Sequence, residues 1–217
     1  MKTTFLLDRK ADGMAKKSER QMKEEIRILG FDDGAFEPRS GKKVPVIGVV
    51  FRGGKFLDGA MLTEVTVDGV DATEEITKLI NSSRHKQQLK VIMFDGITLA
   101  GFNVVDIESI REQTNVPVIV MNRKHPDLER VRKALGHFSD GEERWETIMR
   151  AGEIKECFVG KLGKEIRKVY YQSIGLTDDQ TRQIIKLSCT RGFIPEPLRV
   201  AHLLATAIVR GESYGRA

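Results

Sequence analysis

Two short apolar runs in this chain stop in the same way. Ile28-Leu29-Gly30-Phe31 leads into Asp32-Asp33-Gly34, and Val91-Ile92-Met93-Phe94 leads into Asp95-Gly96. Each run has the length and side-chain chemistry of a short buried strand, and each is closed by residues that favour a turn. Placed side by side, the two strands bring Asp32 and Asp95 together at one edge of a sheet. Carboxylates held close at neutral pH destabilise one another unless a cation lies between them. The pattern therefore asks for a sheet in which these strands are neighbours, and it points to a divalent metal site. Asp33 ranks below Asp32, because alternate strand positions face opposite sides.

The remaining segments supply the order of elements. Strands over residues 26–31, 44–51 and 56–67, the last two joined by the turn Arg52-Gly53-Gly54-Lys55, read as an antiparallel meander. A helix over 72–81 follows, with Asp71 at its N-cap, and then the second Asp-Gly strand. Helices over 104–113 and 127–135 flank a strand over 117–121, an alternation that implies parallel crossovers. A helix over 140–149 carries the only tryptophan, Trp145, with packing as its simplest role. A strand near 167–172, a helix from Thr177 through Leu187 and a final helix opened by Pro195-Glu196-Pro197 complete the chain. The expected fold class is α/β, with three antiparallel strands, then parallel strands, and helices on the flanks. This is the ribonuclease H-like layout, in which the first strand is central and neighbours the fourth. Residues 1–23 read as a flexible N-terminal extension, either a leader or an expression remnant, and 24–217 as one domain.

Thirty-six Lys and Arg against 31 Asp and Glu give a net charge of +5, a mild bias toward polyanionic partners. No apolar run has the roughly 18 residues that a membrane span needs, and the expected location is the cytoplasm. Cys157 and Cys189 have no metal-binding spacing, and a reduced compartment is the default for a chain so poor in cysteine. His85, His125, His137 and His202 are scattered, which argues against zinc, and no glycine fingerprint for nucleotide phosphates occurs. Oxygen donors alone suit Mg²⁺, with Mn²⁺ as its usual substitute, and leave room for a phosphate and an attacking water.

Further candidates surround the two aspartates. Asp71 and Asp68 approach from the segment after the third strand, although capping and turn formation explain both equally well. Arg123 and Lys124 follow the strand over 117–121 and fall at the sheet edge occupied by Asp95, where a cation would hold a scissile phosphate. Phe36, Tyr170 and Tyr171 offer faces on which a base could stack.

Four motifs taken together resemble one archaeal family. They are Gly30-Phe31-Asp32-Asp33-Gly34-Ala35-Phe36, Thr66-Val67-Asp68-Gly69-Val70-Asp71-Ala72-Thr73, Phe94-Asp95-Gly96 and Pro195-Glu196-Pro197-Leu198-Arg199-Val200-Ala201-His202. In this order, from about Glu25 to the C-terminus, they resemble the endonuclease dU family, which is similar in fold to endonuclease V. The resemblance implies Mg²⁺-dependent hydrolysis of a phosphodiester near a deaminated base, deoxyuridine in DNA being favoured and RNA an alternative. It implies metal-ligand roles for Asp32 and Asp95, and a phosphate contact by Arg123 or a catalytic Lys124. The glutamate that endonuclease V carries after its third strand has no clear match; Asp71 is the nearest carboxylate and Asp68 the next. The endonuclease V histidine is also missing, with Tyr171, Gln172 and Ser173 in its region. The Pro-Glu-Pro stretch reads as structural, with Glu196 as a cap and His202 as a packing residue. Two rival readings are a nucleic-acid-binding module without chemistry and a metal-dependent phosphoesterase of small substrates.

Overall fold

The structure is a computed structural model and describes residues 24–162 and 165–213; the extension read over residues 1–23 lies outside them. Its centre is a seven-stranded sheet built from β1 (Arg27–Asp33), β2 (Lys43–Arg52), β3 (Phe56–Thr66), β4 (Leu89–Asp95), β7 (Val118–Asn122), β8 (Lys155–Leu162) and β9 (Glu165–Ile174). Across the sheet the order is β3-β2-β1-β4-β7-β9-β8. The first three strands are antiparallel, β1, β4 and β7 run parallel, and β9 and β8 close the far edge antiparallel. A separate two-stranded hairpin, β5 (Thr98–Leu99) with β6 (Asn103–Val104), stands directly after β4.

Residues 27 to 33 alternate between two faces, and the two cores follow that alternation. Leu29 and Phe31 pack with Ile92, Phe94 and Val118 beneath α1 (Ala72–Ser82) and α2 (Ile107–Thr114), which contribute Ile76, Ile80, Ile107 and Ile110. On the other face Ile28, Val91, Met93, Ile119 and Met121 meet α5 (Asp178–Ser188) through Ile184 and Ile185, and α6 (Glu196–Arg210) through Leu198. Two further helices, α3 (Leu128–Leu135) and α4 (Gly141–Arg150), pack on each other, and α4 also packs on β6. The mixed sheet between helical layers is the architecture expected from the sequence. Among the described residues no helix is long and apolar enough to cross a membrane.

Helix α6 lies across β1, and the sequence of β1 permits it. A Cβ on Gly30 would stand 2.6 Å from Pro197 Cβ, and one on Gly34 would stand 2.6 Å from Val209 Cγ2. Gly30, Asp32 and Gly34 share one face, so the helix rests on two bare backbone positions and meets the carboxylate between them. Pro195 occupies the helix N-cap, and Glu196 is buried in an ion pair with Arg199 at 2.6 Å. The expected capping role of Glu196 is thus replaced by a pair one turn into the helix. Thr177 and Gln180 form the capping box that opens α5.

Three other expectations shift. The aspartates belong to β1 itself, which runs through Asp33. Residues 103 and 104 pair as β6, and α2 begins only after the Asp106 side chain caps Glu108 and Ser109. The strand expected near 167–172 is the second arm of a long hairpin whose first arm, β8, has the charged, irregular sequence of an edge strand.

Candidate active site

Asp32 and Asp95 lie on neighbouring parallel strands, one step beyond the paired residues Phe31 and Phe94, and both face α6. Asp32 is 6% exposed. Its Oδ2 stands 2.8 Å from His202 Nδ1, and its Oδ1 accepts the Asp33 backbone N–H at 2.9 Å. Asp95 Oδ2 accepts from Arg123, whose guanidinium nitrogen is 3.2 Å away. Arg123 lies two residues past Met121, the β7 partner of Asp95, so strand alternation returns it to the same face. Two carboxylates, one guanidinium and one imidazole therefore share a single edge of the sheet.

The electrostatics agree with this geometry. Burial raises the Asp95 carboxyl above its ordinary value, and the charge on Asp32 adds to the rise while Arg123 opposes it. The hydrogen bond to Asp32 raises the His202 imidazole, favouring its protonated form. Burial, reinforced by the Asp32 charge, pushes Asp33 up to about 7, with the Ala100 N–H pulling in the opposite direction. That N–H donates to Asp33 Oδ2 at 2.8 Å, so Asp33 faces the hairpin side of the sheet, away from α6. A cleft of ≈360 Å³ runs from Asp32 and Asp33 past Phe36 to His202, Thr206 and Arg210.

Among the described residues no group of three or more His, Cys, Asp or Glu side chains is arranged to hold a metal ion. Asp71, expected as a third ligand, is committed elsewhere. Its oxygens accept the Thr66 N–H at 3.0 Å, the Thr66 hydroxyl at 2.7 Å and the Asn103 amide at 2.6 Å. Burial would raise its carboxyl, but these donors outweigh it and hold the group below the ordinary value. Although Asp71 occupies the N-cap of α1, its side chain turns back to the end of β3 and caps nothing in the helix. Asp68 is likewise engaged, accepting the Arg39 N–H at 3.0 Å and the Phe102 N–H at 2.9 Å. Tyr171, expected at the nucleic-acid surface, is 1% exposed and packs among Met121, Cys157 and Ile184, because odd positions of β9 face that core. Phe36 is exposed and lines the cleft. Lys124 is exposed beside Arg123 and, among the described residues, contacts neither carboxylate.

His202 is the site residue that sequence reasoning set aside. It comes from α6, 170 positions from its partner, and no local spacing links the two. The one available signal was the pair of glycines flanking Asp32 on the helix-facing side of β1.

Two stability effects follow from these environments. Asp71→Ala should lower stability by about 2 kcal/mol with an unchanged denaturant m-value, because it strands the donors of half-buried Thr66 and fully buried Asn103. Urea unfolding monitored by circular dichroism measures it. For Asp33, the folded carboxyl binds its proton more tightly than the unfolded one, whose ordinary value is 3.8. Its stabilising share is complete below that value and is lost as pH rises through about 7. An Asn amide can accept from Ala100 and donate toward Asp32. Asp33→Asn, with chelator present, should therefore exceed the unsubstituted protein by about 1–2 kcal/mol at pH 8 and gain little at pH 4. Thermal melts across that pH range give the comparison.

Comparison with known proteins places most of the chain. The family model described as endonuclease dU matches residues 24–209. A UPF0215 protein of Methanothermobacter thermautotrophicus is 51% identical over 199 residues, covering 91% of this chain and 95% of its own. A UPF0215 protein of Methanosarcina mazei is 52% identical over 200 residues, covering 92% and 99%. The crystal structure of a protein of unknown function from Archaeoglobus fulgidus is 37% identical, with a TM-score of 0.75 over 85% of this chain and 99% of that one. The endonuclease V of Bacillus subtilis shares the fold, with a TM-score of 0.55 at 11% identity over 86% of this chain and 81% of its own. The chain belongs to the endonuclease dU family.

Proposed function

We propose that the protein is a Mg²⁺-dependent endonuclease that hydrolyses a phosphodiester in DNA near a deaminated base, deoxyuridine being the favoured lesion. The observation that carries this reading is the Asp32–Asp95 pair, two carboxylates on adjacent parallel strands, with His202 against the first and Arg123 against the second. The donor set fits the metal. Mg²⁺ accepts one or two carboxylates and keeps several waters, and the rise in the Asp95 pKa is relieved by any cation between the pair. Asp32 and Asp95 would hold it, and bound there it would lend positive charge to the phosphate and to the attacking water.

The chain's own residues do the rest. Arg123, 3.2 Å from Asp95, would present its guanidinium to a phosphate oxygen at this edge of the sheet. His202 holds a proton at Nδ1 against Asp32 and fixes the orientation of that carboxylate. Its half-buried ring also lines the cleft. Support for a nucleic-acid substrate comes from the basic charge balance, from the family's description and from a structural relative with a TM-score of 0.52, the Ciona intestinalis endonuclease V, solved with DNA containing inosine.

The test is cleavage of end-labelled duplexes containing one deoxyuridine, one deoxyinosine or neither, with Mg²⁺ or with chelator. Metal-dependent cutting beside one lesion supports the reading and names the lesion. Tight binding without cutting favours the non-catalytic module, which the diversion of Asp71 also suits. Cleavage of small phosphoesters alone overturns the nucleic-acid assignment.

A further inference from the structure

A second concavity, ≈670 Å³, opens beside the carboxylate cleft, and Phe36 lines both. Three phenylalanines from three separate connections meet in it: Phe36 after β1, Phe102 in the β5–β6 turn and Phe138 between α3 and α4. The Phe102 and Phe138 rings lie 5.6 Å apart and are tilted by 58°. Arg39, Asp68 and His137 add polar side chains to the lining.

Loops do not hold three rings in place unaided, and here one buried assembly fastens them. The Asp68 carboxylate accepts one backbone N–H from each of two walls, Arg39 at 3.0 Å and Phe102 at 2.9 Å. Arg144, buried from α4, donates to the carbonyls of Phe102 at 2.6 Å and Asp68 at 3.0 Å, and its guanidinium lies 4.7 Å from the centre of the Phe138 ring. Arg39, Asp68 and Ala100 are three of the four non-glycine residues with positive φ among those described. That conformation is unfavourable for such residues and persists only where surrounding contacts enforce it. The same assembly reaches the carboxylates: Asp68 N–H donates to the Ala100 carbonyl, and Ala100 N–H donates to Asp33, each at 2.8 Å.

We propose that this chamber receives a single unstacked nucleobase, and that Asp68 is the positioning residue that sets its walls relative to Asp32 and Asp33. The proposal rests on the nucleic-acid reading above. A planar ring is the ligand that a chamber lined by three aromatic side chains suits, and a base inside a duplex cannot enter it. Continuity at Phe36 places the adjoining phosphodiester at the carboxylate cleft. The exposed ring of Phe36 forms the lip between the two.

The experiment is fluorescence anisotropy in EDTA with the full chain, using a duplex bearing one deoxyuridine opposite guanine and a fully paired duplex of otherwise identical sequence. The unsubstituted protein should prefer the mismatched duplex. Phe102→Ala and Phe138→Ala should each reduce that preference about tenfold, while affinity for the paired duplex stays unchanged. Phe102→Leu, which keeps apolar volume but removes the ring, should also lose the preference and serves if the alanine variant melts early. Asp68→Ala should lose it, and Asp68→Asn, with one acceptor oxygen left, should recover part of it, a rescue that general loosening of the fold does not predict. Preference equal to that of the unsubstituted protein in folded Phe102 and Phe138 variants overturns the chamber while leaving the nuclease reading intact. Absence of preference in the unsubstituted protein also overturns the chamber alone. Failure to bind either duplex, together with no Mg²⁺-dependent cleavage, overturns both.

Discussion

Asp95→Asn should abolish metal-dependent cleavage, with a loss of about 10³-fold or more, and should leave the protein at least as stable as before. Both halves come from the same environment. Asp95 is partly buried at a strand end, and its carboxyl is raised by burial and by the charge on Asp32, with Arg123 at 3.2 Å and the charge on His202 opposing the rise. Removing the negative charge removes the repulsion along with the ligand. An Asn oxygen still accepts from Arg123, so the β7 end keeps its contact. Asp32→Asn should lose activity to the same extent through a different loss, because Asp32 is also the partner of His202 at 2.8 Å. The doubly substituted protein should be no less active than either single variant, since groups that act as one unit are not additive. Single-turnover cleavage of a lesion-bearing duplex, with melting temperatures measured in EDTA, checks each part. Retention of activity in both single variants would remove the metal pair from the mechanism.

The legibility of this site in the sequence depended on distance along the chain. Asp32 and Asp95 could be paired because each ends its own strand, and a ribonuclease H-like order makes those strands neighbours. Arg123 could be placed because it follows the next parallel strand. Asp71 was correctly located at the start of α1, yet position does not fix where a side chain turns. Asn103, fully buried and 32 residues away, offered a stronger partner than the helix amides did. Tyr171 looked like a stacking residue because aromatics serve surfaces and cores equally well. Only the register of β9 against β7, which sets Tyr171 opposite Met121, decides the matter. Edge strand β8 was hidden by its charges, and the hairpin after β4 by its two-residue arms. His202 was the hardest case, since an amphipathic helix declares which of its faces is buried but not which strand it will cover.

That missing relation between α6 and β1 yields the largest expected effect on the fold. Gly30→Ala should destabilise the protein by about 3 kcal/mol, and Gly30→Val should prevent native packing of the last helix. The alanine methyl would meet Pro197 Cβ at 2.6 Å, Pro197 C at 2.7 Å and Pro197 O at 2.9 Å. Two of these are backbone atoms at the first turn of a helix, and the third belongs to a proline ring whose φ cannot adjust, so no rotamer change relieves the contact. The helix must shift or β1 must bend, and overpacking without an escape route costs in this range. Either movement displaces His202 from Asp32, since both sit on the same helix–strand contact. A surface control, Gly192→Ala, has open space around its Cβ and should change stability by less than about 0.5 kcal/mol. Urea unfolding of the two variants, followed by Trp145 fluorescence and circular dichroism, tests the packing. A cleavage assay below the unfolding midpoint tests its consequence for the site. If Gly30→Ala unfolds like the unsubstituted protein and still cuts, α6 does not rest on β1 at Gly30, and the placement of His202 falls with it.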